Sequence, residues 1–266
     1  MDPQRIRIGV RHARRFPEVV SCIASVYGGT RVAAGYAGLT SLRFPVEIRF
    51  RSGLTYRLHE YYDLETLWQI NFHQVYHLHP TDSVIVDAGA NVGFFTCWAA
   101  ASNPRAHVIA VEPSQGNYTR LIEHVKRNAL ESRVTTFRLA LSSAAGTVWL
   151  SERSSASQMH HVTEDNRSGA TGVQAISLQD LLARLPYDRI DFLKMDIEGS
   201  EYPVLMSATA DCLAPVRRLT VEYHATSAPN TCNKEALIEH LQACGFRSVT
   251  DRSPQSAYGL IDAVRE

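Results

Sequence analysis

The chain has no surplus charge and little cysteine. Its 27 Lys and Arg offset 27 Asp and Glu, giving a formal net charge of +0 at pH 7 and a pI of about 7.2. Such a balance gives no overall electrostatic ground for nucleic acid or a membrane as partner. The 5 cysteines (Cys22, Cys97, Cys212, Cys232 and Cys244) are odd in number and show no C-x-x-C spacing. This excludes a plain disulfide framework and fits reduced thiols in a cytoplasmic protein. No apolar run is clean enough to span a bilayer, because the most apolar long window, residues 84–101, contains Asp87 and Asn91. Arg5, Arg7, Arg11, Arg14 and Arg15 have no apolar segment close behind them, so no secretory leader is expected. Internal repeats, low-complexity tracts and a G-x-G-x-x-G fingerprint are also missing. With 266 residues, 45% hydrophobic and 20% charged, the chain suits one sizeable soluble domain with an extension.

What is present centres on Val84-Ile85-Val86-Asp87-Ala88-Gly89-Ala90-Asn91-Val92-Gly93. The β-branched run suits a strand buried on both faces of a parallel sheet. Two glycines and an apolar helix over 94–101 follow, the nucleotide-binding layout of α/β folds. An acid at the strand end would repel a pyrophosphate but suits a cation. S-adenosylmethionine, with its ammonium and sulfonium, fits. A second acid, Glu112, closes the next strand, where a carboxylate can accept both hydroxyls of an adenosine ribose.

Residues 1–44 give no clear element. Their arginines fit either an anionic ligand or a solvated helix face. Alternation over 46–50 and 54–58 around Ser52-Gly53 predicts a β-hairpin. Asp63 is expected to cap a helix through Leu64, Leu67, Trp68 and Phe72, which would carry His73 and His77 on one face, with His79 beyond. Without an H-E-x-x-H arrangement, a structural role for these histidines is the simpler reading. Pro80 ends the segment. The expected organisation is an N-terminal extension, 1–80, able to cap the substrate, and a cofactor-binding domain, 81–266.

Within that domain, strands over 107–112 and 134–139 and a helix over 115–130 complete a β-α-β-α-β half. Strands at 146–150 and 173–176 flank a polar stretch, 151–171, that reads as a surface loop or lid. Ser177 should cap a helix over 178–185. Strands over 190–196, 219–224 and 246–250 follow, with a helix over 234–244 closed by Gly245. A last strand over 258–264 is expected to turn back antiparallel as an edge.

In such sheets the ligand lies at the carboxyl ends of the strands. Asp87, Glu112, Asp196, Glu198, Glu222 and His224 gather there. Lys194, inside a strand, needs a carboxylate partner, and Glu222 on the neighbouring strand is the natural one. His224 is the candidate general base for a substrate hydroxyl. An alternative is Mg2+ held by Asp196 and Glu222, with Glu198 as third ligand, lowering the pKa of a bound hydroxyl.

Three segments resemble the FkbM-type family of S-adenosylmethionine-dependent (class I) methyltransferases. They are residues 84–93 with Ala110-Val111-Glu112-Pro113, Ile176-Ser177-Leu178-Gln179-Asp180-Leu181-Leu182, and Asp191-Phe192-Leu193-Lys194-Met195-Asp196-Ile197-Glu198-Gly199-Ser200-Glu201 with Val221-Glu222-Tyr223-His224. The resemblance covers residues 54 to 266. It departs from the family at Gln179, where Asp is usual, and Met195, where Ile or Val is usual. It implies a seven-stranded Rossmann-like α/β sheet, mostly parallel with the last strand antiparallel and helices on both faces. It also implies O-methylation of a hydroxyl on a sugar, glycolipid or polyketide-type natural product. Asp87, Gly89, Asn91, Gly93 and Glu112 would contact S-adenosylmethionine, and Ala140, Leu141 and Ser142 would border the adenine. The expected partner is a hydroxylated small molecule, with no nucleic acid and no membrane span, in a cytoplasmic protein that a homo-oligomer would also suit. The alternatives are an N-methyltransferase and a non-catalytic nucleotide-binding or scaffold protein. Asp196-Ile197-Glu198-Gly199 stands where N-methyltransferases often carry Asn-Pro-Pro-Tyr, which favours oxygen.

Overall fold

A computed structural model describes residues 16–152, 160–163, 170–224, 233–253 and 258–265. Its centre is a seven-stranded sheet in the order β12-β13-β11-β10-β3-β4-β5. β3 (Val84–Ala88), β4 (His107–Val111), β5 (Val134–Phe137), β10 (Phe192–Met195) and β11 (Arg218–Tyr223) run parallel. β13 (Gly259–Val264) is antiparallel to both neighbours, β11 and β12 (Ser248–Asp251). The last strand is thus inserted between two others, and β12 forms the edge instead. A strand returning from β12 reaches the unpaired side of β11 directly, so its apolar Ile261 and Ala263 are buried.

Both sheet faces are covered, as a parallel sheet of Val, Ile and Leu requires. One apolar cluster joins α4 (Phe94–Ser102) and α5 (Gln115–Arg127) to the elements preceding β3: α1 (Phe16–Ser25), α2 (Gly29–Tyr36), the hairpin β1 (Val46–Arg49) and β2 (Thr55–Leu58), and α3 (Tyr61–Trp68). The other face packs α6 (Leu178–Ala183), α7 (Glu201–Ser207), α8 (Ala210–Leu213) and α9 (Lys234–Ala243). A smaller sheet, β6-β9-β7-β8, is built from β6 (Ala140–Leu141), β7 (Gly146–Glu152), β8 (His160–Thr163) and β9 (Thr171–Ile176). Part of the stretch read as a lid is therefore strand. Residues 153–159 and 164–169 of it lie outside the described residues, as do the first fifteen residues and Cys232.

Three local expectations change. Asp63 stands at the third position of α3, not at its cap. It accepts from the backbone N–H of His59 and Glu60 in a reciprocal capping box with Glu60. The helix then widens into one π-turn, Gln69–His73, and ends at left-handed Gln74 (φ 52°). His77 therefore lies off the helix, and His73 pairs with Glu18 at 2.8 Å. α5 stops at Arg127, because Ala129 is left-handed (φ 51°), although Leu130 is still buried.

Candidate active site

The turn after β3 is shaped by the chain passing beside it. Gly89 has φ +78°, and a Cβ there would lie 1.7 Å from the Asp196 carbonyl oxygen. Only glycine fits such an approach. A Cβ on Gly93 (φ +88°) would meet Leu121 at 2.6 Å, so this glycine serves the packing of α4 on α5. The turn is also held from behind by buried His124. Its ring bridges the Val92 carbonyl (2.7 Å from Nδ1) and the Arg57 N–H (3.0 Å from Nε2). The second contact makes Nε2 the acceptor, so Nδ1–H donates to Val92. Burial holds the His124 pKa below its ordinary value, against the pull of those bonds.

Asp87 takes a different place from the expected one. It is fully buried, accepts from the Thr96 hydroxyl at 2.5 Å and pairs with Lys194 Nζ at 3.0 Å. Lys194 also donates to the Gly89 carbonyl at 2.6 Å and lies 3.8 Å from Asp196. Its expected partner, Glu222, is not the one it takes. The sheet register sets Lys194 directly beside Asp87 on β3, while Glu222 lies further along β11, past the end of β10. Burial pulls the Lys194 pKa down, but Asp87 and Asp196 outweigh it, so the ammonium stays charged. The Asp87 charge is spent inside the protein, and it orients the Gly89 carbonyl through Lys194.

Buried Glu112 holds the turn through backbone amides. Its Oε2 accepts from the Asn91 N–H (2.9 Å) and its Oε1 from the Ser114 N–H (2.8 Å). Burial pushes its pKa up to about 7, against the lowering effect of those two bonds. A cavity of about 580 Å³ opens here, walled by Gly89, Asn91, Glu112, Leu139, Ala140 and Leu141 on one side and by Asp196, Ile197 and Glu198 on the other. Ser142 is not in its wall; its N–H bonds the Ile176 carbonyl. The donor set fits S-adenosylmethionine. Glu112 retains acceptor capacity for a ribose diol, the apolar wall suits a purine, and the buried Asn91 Oδ1 has no partner among the described residues.

A second cavity, of about 1110 Å³, shares Gly89, Asn91, Asp196 and Glu198 with the first. Its far wall holds Glu222 and His224 from the end of β11, and Tyr62, Thr66, Gln69 and Tyr76 from the segment before β3. The loop after β10 is pinned by Glu201, a buried carboxylate accepting from the N–H groups of Ile197 (2.9 Å) and Gly199 (2.9 Å). This supports Glu198 at φ +53° and Gly199 at φ +99°. Glu201 also lies 3.2 Å from His224 Nδ1, and Glu198 lies 3.8 Å from Nε2. Burial works against the imidazolium, but the Glu201 bond and the charges of Asp196 and Glu198 raise His224 to about 9. The pKa values of its neighbours rise as well, which for a carboxyl favours the neutral form. Burial and then repulsion by Asp196 push Glu198 to about 8 and Glu222 to about 7.

The expected metal set does not converge. The acids and histidine that do come together are Asp196, Glu201 and His224, within 4.8 Å of one another. Glu201 is already committed to two backbone amides and to His224, and a histidine is not a typical ligand of Mg2+, so this set fits Mg2+ poorly. Glu201 and Tyr76 were missed as site residues. Glu201 stood inside the Asp191–Glu201 segment, as an acid opening a helix beside a strand-end acid. Tyr76 sits in a stretch with no periodicity and carried no signal.

Strand order, the glycine turn and the two acids closing neighbouring strands define the class I methyltransferase fold. A family model for the methyltransferase FkbM domain matches residues 87–248, and the chain belongs to that family. It is 29% identical over 219 residues to the methyltransferase sdnD of Sordaria araneosa, covering 70% of this chain and 83% of that protein. It is 29% identical over 153 residues to the hexuronic acid methyltransferase AglP of Haloferax volcanii, covering 58% of this chain and 61% of AglP. Among solved structures it resembles an FkbM methyltransferase from Methylobacillus flagellatus KT, with TM-score 0.46 and 13% identity, covering 96% of this chain and 60% of that one. The curated relatives are covered over 10% to 83% of their own lengths.

Proposed function

We propose that the protein is an S-adenosylmethionine-dependent O-methyltransferase acting on a hydroxyl of a sugar, glycolipid or polyketide-type natural product. The observation that carries this reading is the meeting of two cavities at Asp196, one suited to an adenosine and the other walled by titratable groups. Bound, the cofactor would supply an electrophilic methyl group on a sulfonium. Glu112 would accept from the ribose hydroxyls, and Asp196 and Glu198 would complement the positive charges. The acceptor would enter the larger cavity past Tyr62, with residues 1–80 serving as its cap. The AglP relative, named for a hexuronic acid, supports a sugar-like acceptor.

Two groups on that wall are candidates for the hydroxyl proton. His224, near pKa 9, is an imidazolium at neutral pH in the cofactor-free protein. It can serve as base only once the cofactor's positive charge lowers its pKa. Glu222, near 7 and held by the Tyr76 hydroxyl at 3.3 Å, is matched to a proton transfer near neutrality without that help. No step needs a metal. Among the described residues no helix is long and apolar enough to cross a membrane, and Cys22, Cys97, Cys212 and Cys244 are free, as in a cytoplasmic protein.

The test is transfer of a 13C-labelled methyl group from S-adenosylmethionine to a panel of methyl glycosides, amino sugars and macrolide alcohols. The expected product carries the label at an O-methyl carbon shift, in EDTA as well as without it. Label at an N-methyl shift would replace the reading with N-methylation. Cofactor binding with no product from any acceptor would favour a non-catalytic role.

A further inference from the structure

Carboxyl groups crowd the place where the two cavities meet. Asp196 and Glu198 belong to the walls of both cavities, and Glu222 stands in the wall of the larger one. Buried Glu201 and Asp87 act on Asp196 from α7 and β3. Two cations are shared among these five acids. Lys194 lies 3.0 Å from Asp87 and 3.8 Å from Asp196, and His224 lies 3.2 Å from Glu201 and 3.8 Å from Glu198. Glu222 takes the Tyr76 hydroxyl at 3.3 Å. Carboxyls that outnumber cations in a partly buried space do not all ionise at neutral pH, so the group shares protons. The individual groups agree. Burial and then the Asp196 charge raise Glu198 to about 8 and Glu222 to about 7. Burial lowers His224, but Glu201 outweighs it and holds the imidazole at about 9.

The donor would bring this group one positive charge that the reaction then removes. With the adenosine in the smaller cavity and the acceptor in the larger, the sulfur would lie between them, beside Asp196 and Glu198. A sulfonium there lowers the pKa of each neighbour, carboxyl or imidazolium, so protons leave. Transfer breaks the C–S bond, forms a C–O bond and leaves a neutral thioether, while the acceptor hydroxyl gives up its proton. The site thus loses one positive charge at sulfur as one proton is set free beside it. We infer that Glu198, Glu222 and His224 act together as a proton store. They release protons when S-adenosylmethionine binds and take one back at transfer, so the site favours the charged donor over its neutral product, S-adenosylhomocysteine. A site that keeps the proton holds its total charge constant through the transfer, and the product, without its sulfonium, has one attraction fewer to retain it. The inference rests on the smaller cavity being the cofactor site and says what the carboxyl-rich wall adds to it.

The test is calorimetric titration of the whole chain with S-adenosylmethionine and with S-adenosylhomocysteine, both in EDTA. Phosphate and Tris buffers, with their different heats of ionisation, count the protons released. The two ligands share the ribose that would meet Glu112 and the amino-acid end, so the difference between them isolates the sulfonium. S-adenosylmethionine should release about half a proton more than S-adenosylhomocysteine at pH ~7.5. Because its binding lowers the pKa values, its preference over the product should grow with pH, by about tenfold from about pH 6 to 8. Glu222→Gln, at a position outside the wall of the smaller cavity, should cut the proton difference by about half. Binding of S-adenosylhomocysteine in the same sample shows that the variant is folded. Equal proton counts for the two ligands, or a preference flat over that pH range, would overturn the inference and leave the cofactor site standing. A difference unchanged in Glu222→Gln would overturn it too, by placing the store elsewhere. Binding of neither ligand to the folded wild type would overturn the cofactor site itself and the inference with it.

Discussion

The two cavities that meet at Asp196 are built by different means. The smaller is made largely by backbone. A glycine lets Asp196 approach, Glu112 is held by two amides, and the nearby Asp87 charge is settled on Lys194. The larger is made by side chains from segments far apart in sequence. It contains the carboxyl groups of Asp196, Glu198 and Glu222, with Lys194 and His224 as cations. In the first, Glu112 is fixed in position by two amides before any ligand arrives. In the second, burial and crowding leave Glu222 near 7, Glu198 near 8 and His224 near 9, each ready to respond to a new charge. A site held largely by backbone thus adjoins one walled by a cluster of titratable side chains.

Substitutions should separate the two. The largest effect is expected from Lys194→Met, which leaves Asp87 buried without its cation. Breaking one side of a buried pair costs about 3–5 kcal/mol, and denaturant unfolding should show it. Stability within about 0.5 kcal/mol of wild type would mean that the Lys194–Asp87 pair does not support the fold. Next is Gly89→Ala. A left-handed alanine costs about 1–3 kcal/mol before any clash, and the Asp196 carbonyl must also retreat. S-adenosylhomocysteine affinity should be lost while the protein stays folded. Retained affinity would show that the close approach is not needed.

Glu112→Gln should weaken S-adenosylhomocysteine by roughly tenfold to a hundredfold, the scale of hydrogen bonds to a charged group. The wild-type affinity should fall as pH drops through about 7, because protonation removes the ionised acceptor. Affinity flat from pH 8 to 6 would place the ribose elsewhere. The smallest effect belongs to the second cavity. Tyr76→Phe removes one donor to Glu222, so cofactor affinity should hold while turnover drops by about tenfold or less. The Tyr76 bond lowers the Glu222 pKa, so its loss should move the acidic limb of the rate profile to higher pH. An unmoved limb would remove Glu222 as the proton acceptor.

The first cavity and the charged strand-end groups of the second, Lys194, Asp196, Glu198, Glu222 and His224, were legible in the sequence, whereas the wall from Tyr62 to Tyr76 was not. Strand, turn and acid lie within a few residues of each other at Asp87–Gly93 and Val111-Glu112, so spacing alone brings them together. What spacing could not show was the destination of the Asp87 carboxylate, which depended on the register of β10 against β3. The same register overturned the expected Lys194–Glu222 pair. The acceptor wall escaped because Tyr76 belongs to an irregular stretch. The Arg252 and Arg218 guanidiniums hold it in place by gripping the carbonyls of Val75 and His77, contacts across more than a hundred residues of chain. The edge strand was misplaced for a similar reason, since sequence order says nothing about which side of β11 a returning strand will take.

The most direct test of the central claim is calorimetric titration of the wild-type protein with S-adenosylhomocysteine at pH 8, beside Glu112→Gln. Saturable one-to-one binding, weakened in the variant, is the expected result and would fix the smaller cavity as the cofactor site. Binding unchanged in the variant, or none to the folded wild type, would contradict the reading of Glu112 and with it the assignment of both cavities.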